Sequence, residues 1–145
     1  MSTSIIIPAR YGSSRYRGKP LVKILGKEMV IRVADICNKI KDVKVFIATD
    51  SKKIANVVKK YGYKYIFTSS SCLTGTDRVA EASKKIRSKI YINVQGDEPD
   101  IDVDDIRTLH DKMRLNKSKI GTLAAKINND EIYDIFFTFI NAILF

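Results

Sequence analysis

The sequence predicts an α/β protein, an open and mainly parallel sheet with helices on both faces. Two observations predict it. Short β-branched runs alternate along the chain with segments of helical spacing, the pattern of strands joined by crossover helices. The runs are also largely apolar, as strands covered on both faces are.

Each element has its own signal. Ile5-Ile6-Ile7, closed by Pro8-Ala9, reads as the first strand, and Arg10–Pro20, rich in Gly, Ser and basic residues, as a loop. Met29, Val30, Val33, Ile36, Cys37 and Ile40 recur at three- and four-residue spacing and predict an amphipathic helix. Val43–Thr49 is the second strand. Ile54, Val57, Val58 and Tyr61 predict a second helix, with Gly62 where a C-terminal glycine cap falls. Tyr65–Thr68 is a short third strand, followed by the polar loop Ser69–Gly75. Thr76 is expected to cap a helix carrying Val79, Ala82 and Ile86. Ile90–Val94 reads as a strand and Gln95–Pro99 as a turn. A fourth helix carries Val103, Ile106, Leu109 and Met113, with Asp102 as its cap, and Ile120–Ile127 is expected as a fifth strand.

Composition narrows the class. The chain has 145 residues, 45% hydrophobic and 29% charged, enough for one domain with a real core and too apolar for disorder. No apolar run reaches the roughly 18 residues of a membrane helix. Met1-Ser2-Thr3-Ser4 lacks the basic start of a signal peptide. Cys37 and Cys72 are too few for a disulfide framework and too far apart for a metal knuckle. A cytoplasmic protein without a membrane partner is expected. The net charge of +10 is uneven. Residues 1–65 hold 15 Lys/Arg against 4 Asp/Glu, and residues 66–145 hold 11 against 12. A basic half suggests an anionic ligand, although abundant lysine and isoleucine also follow from AT-rich coding.

The end of the chain breaks the pattern. From Ile132 to Phe145, 11 of 14 residues are apolar or aromatic, with no clear period. One reading is a last buried strand or helix. The other is a shifted reading frame ending at an early stop. The segment has an aggregation-prone composition, so deleting Ile132–Phe145 is expected to improve solubility.

Ligands of such sheets bind beyond the carboxyl ends of the strands. The loop after the first strand carries Arg10, Arg15, Arg17 and Lys19 within ten residues, and Gly12 and Gly18 let backbone N–H groups approach a ligand. It suits phosphate but is not a P-loop, because Pro20 stands where the metal-binding Ser/Thr would be. Asn93-Val94-Gln95-Gly96-Asp97-Glu98-Pro99 puts two adjacent carboxylates at the end of a buried strand, where one can hold Mg²⁺ bridging to phosphates. Thr74-Gly75-Thr76-Asp77-Arg78 suits an anion or a base edge, with helix capping the stronger reading. His110 is expected on the exposed flank of its helix in a structural role, and neither cysteine reads as catalytic.

At these residues the chain resembles the sugar-acid cytidylyltransferases, on their KDO (3-deoxy-manno-octulosonate) side. The motifs are IIPARYGSSRYRGKPL at Ile6–Leu21, IATD at Ile47–Asp50, TGTDR at Thr74–Arg78 and NVQGDEP at Asn93–Pro99. The last favours KDO over sialic acid. The resemblance covers residues 4–128. It implies a Rossmann-like fold of the nucleotide-diphospho-sugar transferase type, with residues 1–130 as an incomplete nucleotide-binding domain and 131–145 as an apolar tail. It further implies that Arg10, Arg15 and Lys19 grip the CTP triphosphate and that Asp97 binds Mg²⁺, with Arg10, Lys19 and Asp97 as the catalytic set. Ala9, Thr74, Gly75 and Arg78 would surround cytosine and ribose, and Gln95 would lie near the sugar. The implied reaction transfers CMP from CTP to the anomeric hydroxyl of KDO for lipopolysaccharide assembly, releasing pyrophosphate.

The chain departs from the family pattern in two ways. Tyr16-Arg17 replaces the usual Leu-Pro, adding a charge and losing a rigid φ. Family members are also longer. Their further part supplies a second metal carboxylate, the rest of the sugar pocket and most contacts of the family homodimer. Two rival readings follow: a shortened remnant that at most binds Mg–CTP, and a basic nucleic-acid-binding module. The second lacks a basic face with interleaved aromatics or a groove-reading helix, so no nucleic-acid partner is expected. An 8-amino analogue of KDO is an alternative substrate.

Overall fold

In chain order the strands are β1 (Thr3–Pro8), β2 (Lys23–Ile24), β3 (Lys27–Glu28), β4 (Val43–Thr49), β5 (Lys64–Phe67), β6 (Ile90–Val94), β7 (Ile120–Thr122) and β8 (Ile140–Leu144). The helices are α1 (Met29–Cys37), α2 (Lys52–Lys60), α3 (Gly75–Ser83) and α4 (Val103–Asn116). The computed structural model describes residues 2–12, 16–116, 119–123 and 140–144.

Among the described residues the main sheet has six strands in the order β5-β4-β1-β6-β8-β7. β1 pairs in parallel with β4 on one side and β6 on the other, and β5 extends the parallel set beyond β4. β8 runs antiparallel to both β6 and β7. The mainly parallel sheet expected from the sequence is therefore present, and the chain order reverses direction at β1.

The two faces follow from the two-residue period of a strand. Ile5 and Ile7 of β1 pack with Val30, Val33 and Ala34 of α1, Ile54 and Val58 of α2, and Ile106, Leu109 and Met113 of α4. Ile6 points the other way, onto Ala48, Tyr91 and the α3 residues Val79 and Ala82. Helices thus cover both faces, and β1 is fully buried between them.

Local signals place most element ends. Gly62, at φ 79°, follows α2, where its N–H donates to the Lys59 carbonyl at 3.0 Å and the Tyr63 N–H to that of Val58 at 3.1 Å. These are the two bonds of a Schellman cap. Asp102 Oδ1 accepts the Asp104 N–H at 2.8 Å, fixing the start of α4 as expected.

Three readings change. The cap of α3 is Thr74 rather than Thr76: Thr74 Oγ1 accepts the Asp77 N–H at 3.1 Å, while the Asp77 carboxylate accepts the Thr74 N–H at 3.0 Å. The β2–β3 hairpin was not anticipated; its turn is Leu25-Gly26, at φ 49° and 81°. His110 is 3% exposed rather than on an outer flank, because it falls in the same stripe of α4 as Ile106 and Met113. Of the two readings of the chain's end, the structure agrees with the strand for residues 140–144, which lie inside the sheet in register from Ile90↔Leu144 to Val94↔Ile140. Residues 124–139 lie outside the described set, including the end of the expected fifth strand and most of the expected tail.

Candidate functional site

The carboxyl ends of β1 and β6 meet where the strand order reverses, the place where open α/β sheets bind ligands. A cleft of about 410 Å³ lies there. Its walls are Pro8, Ala9 and Arg10 after β1, Tyr16, Lys19 and Pro20 from the same loop, Leu73, Thr74 and Gly75 at the start of α3, and Gln95, Gly96 and Asp97 after β6.

The loop after β1 is held by its backbone. The Ala9 N–H donates to the Ala48 carbonyl at 2.8 Å, and the Gly18 N–H to that of Tyr11 at 2.8 Å. Gly18 has φ 76°, a left-handed conformation that glycine adopts without strain, and it opens the short 3₁₀ turn Lys19–Leu21. Pro20 fits the start of that turn because its fixed φ suits it and no N–H is needed there. The result aims Lys19 across the cleft. Its Nζ donates to Asp97 Oδ2 at 2.7 Å, and both side chains are about half exposed, at 44% and 49%. An ion pair this exposed is worth little and exchanges readily for a ligand.

Glycines set the width. A Cβ on Gly96 would lie 2.8 Å from the Pro8 carbonyl oxygen, so only glycine lets the ends of β1 and β6 approach this closely. A Cβ on Gly75 would lie 3.2 Å from Gln95 Oε1 and 3.3 Å from Pro8 Cγ, which shows how tightly the first turn of α3 sits on both strand ends.

Of the residues singled out by sequence, Ala9, Arg10, Lys19, Thr74, Gly75, Gln95 and Asp97 are brought together on this cleft. Arg15 lies outside the described residues. Arg78 is not on the lining: it is 2% exposed, with its guanidinium donating to Thr68 Oγ1 at 2.5 Å and to Asp50 Oδ2 at 2.9 Å. Pro8, Pro20, Leu73 and Tyr16 were missed as lining residues. Pro8, Tyr16 and Pro20 lie inside the basic-loop motif, and Leu73 directly precedes TGTDR, so adjacency to a motif was the available signal.

The other chemistry-bearing groups are elsewhere. His110 Nε2 lies 3.1 Å from Thr3 Oγ1, at the far end of β1 from the cleft, and burial lowers its pKa. Burial pushes the Cys37 thiol up to about 12, which leaves it unreactive. Burial and a hydrogen bond to Glu81 raise that of Cys72. Among the described residues no group of three or more His, Cys, Asp or Glu could hold a metal ion. No helix among them is long and apolar enough to cross a membrane.

The doubly wound sheet, with a basic loop after one central strand and a carboxylate after its neighbour, is an α/β nucleotide-sugar transferase fold. The sequence model of one family of this class, described as cytidylyltransferase, matches residues 4–135, and the chain belongs to that family. Relatives include the 3-deoxy-manno-octulosonate cytidylyltransferase of Thermodesulfovibrio yellowstonii, 41% identical over 140 residues, covering 90% of this chain and 55% of the relative. The enzyme of the same description from Escherichia coli is 45% identical over 129 residues, covering 88% of this chain and 52% of its own. Among solved structures, CMP:2-keto-3-deoxy-manno-octonic acid synthetase complexed with CTP superposes with a TM-score of 0.83 at 30% identity, over 99% of this chain and 74% of that one. The chain spans about half the length of the curated relatives it matches.

Proposed function

We propose that the cleft binds Mg–CTP and that the chain carries the nucleotide half of a CMP-transfer site acting on KDO. The observation that supports this most directly is that Arg10 and Lys19 of the β1 loop and Asp97 after β6 line a single cleft, with Lys19 and Asp97 in contact. Arg10 and Lys19, with Arg15 of the same loop, hold the triphosphate. Thr74 and Gly75 lie on the wall that offers no cation and take the nucleoside, and Gln95 lies toward the sugar.

The donor set fits Mg²⁺ that arrives with the nucleotide. One exposed carboxylate is a poor resident metal site, but Mg²⁺ is usually held by one or two carboxylates plus substrate phosphates and water. Bound through Asp97, it would supply neutralisation of charge on the phosphates. Arg10 and Lys19 stabilise the charge that builds up as the anomeric hydroxyl oxygen of KDO bonds to the α-phosphorus. The hydroxyl proton passes to solvent, the bond from the α-phosphorus to the bridging oxygen breaks, and pyrophosphate leaves with the electron pair. The product, CMP-KDO, would serve lipopolysaccharide assembly.

Coverage of 55% and 52% of the relatives favours a second reading, in which this chain binds Mg–CTP without transfer. Pyrophosphate release separates the two. Release that requires both CTP and KDO supports transfer. CTP binding without release leaves the second reading, and no CTP binding removes both.

A further inference from the structure

We infer that Arg78 is a positioning residue, which sets the nucleoside wall of the cleft from behind without touching the ligand. This rests on the proposed nucleotide site and assigns the wall's geometry to a buried tether.

Arg78 sits in the first turn of α3, four residues after its cap Thr74. A cation there opposes the helix dipole, so local propensity does not explain it. Its partners do. Nη1 donates to Thr68 Oγ1, just beyond β5, and Nη2 to Asp50 Oδ2, just beyond β4. The Thr68 N–H in turn donates to the Thr49 carbonyl at 3.0 Å. One buried guanidinium therefore ties the ends of two parallel strands to the start of α3. The fork geometry matters, because a lysine ammonium has no planar pair of donors for two separate acceptors.

That same first turn carries Thr74 and Gly75. Gly75 already sits against Gln95 and Pro8 so closely that an added Cβ would have only 3.2–3.3 Å. A small shift of α3 would open or close this wall. The cations Arg10 and Lys19 belong to the other wall, anchored to Tyr11 and Ala48 rather than to α3. Loosening Arg78 thus disturbs the uncharged end of a nucleotide and spares the triphosphate.

The test is calorimetric titration of the full chain with Mg–CTP and, separately, with Mg and inorganic triphosphate. Arg78→Lys should weaken CTP by about tenfold, the scale of one lost hydrogen bond to a charged group, and leave triphosphate binding unchanged. Thr68→Val, which keeps the Arg78–Asp50 pair, should give a smaller loss in the same direction and decides the matter if Arg78→Lys does not fold. Parallel loss of both ligands, or loss of neither, overturns the inference alone. A wild-type chain that binds triphosphate but shows no added affinity for CTP overturns the nucleotide site and this inference together.

Discussion

The Lys19 ammonium lies 2.7 Å from the Asp97 carboxylate, a contact between residues 78 positions apart that closes the cleft between β1 and β6. Each partner satisfies the other while no ligand is bound. Phosphate and its metal would replace the two halves of the pair at once, because the cation prefers phosphate and the carboxylate prefers Mg²⁺.

Lys19→Ala should therefore weaken CTP binding by about tenfold or more, since a hydrogen bond to a charged group contributes about 1.5–3 kcal/mol. Lys85→Ala should leave it unchanged, because Lys85 bonds to Glu81 and the Phe67 carbonyl away from the cleft. Equal losses in the two titrations would remove Lys19 from the phosphate site.

Asp97→Asn should separate binding from stability. The pair is exposed, so its loss should cost less than about 1 kcal/mol in a urea melt. The Mg²⁺ dependence of CTP affinity should disappear in the same variant. A large stability loss with intact Mg²⁺ dependence would show that Asp97 is structural.

Gly96→Ala acts through the backbone. Its Cβ would meet the Pro8 carbonyl oxygen at 2.8 Å, and no side chain is there to rotate away. Overpacking of this kind costs about 1–3 kcal/mol. Lower thermal stability together with lost CTP binding is expected, and a variant indistinguishable from wild type would mean that the strand ends are not in close contact.

Much of this was legible in the sequence, for identifiable reasons. The ends of β4 and β6 match expectation because each is a β-branched run cut off by polar or turn residues. The basic loop and NVQGDEP both lie directly after strands, so their convergence followed from topology alone. The cap of α3 was misplaced because Thr74 and Thr76 are both plausible, and only the reciprocal bond from Asp77 selects the first. The burial of His110 was carried by the helical period and hidden by its polarity. Arg78 could not be read as buried, because its partner Asp50 is 28 residues away and only the fold brings them together. β8 was legible only as one of two readings of its segment, which is apolar without period.

Burial gives His110 a pH signature. Desolvation lowers its pKa from the ordinary 6.5, assisted by Arg114 and opposed by the Asp111 carboxylate. The unfolded chain therefore takes up a proton near 6.5 while the folded chain keeps the ring neutral. The stabilisation is complete above 6.5 and is lost as pH falls through the depressed folded value. Urea midpoints should drop on acidification below 6.5, and His110→Gln should reduce that drop. An identical pH dependence in the variant would contradict the assignment.

The position of β8 argues against the expectation that deleting Ile132–Phe145 improves solubility. Residues 140–144 pair with all five residues of β6. Deleting residues 140–145 would leave an open edge on β6. Lower solubility and a less cooperative melt are expected, and improved solubility would show that β8 does not hold this place in solution.

The most direct test of the central claim is a thermal melt of the chain alone and with Mg²⁺ plus CTP, ATP or GTP. A ligand at about a hundred times its Kd adds roughly 2.7 kcal/mol, which raises Tm by on the order of 6–10 °C in a domain near this size. The nucleotide site proposed here requires a cooperative melt that CTP shifts and the purine nucleotides do not. A melt that no nucleotide shifts, or that all three shift equally, would contradict it.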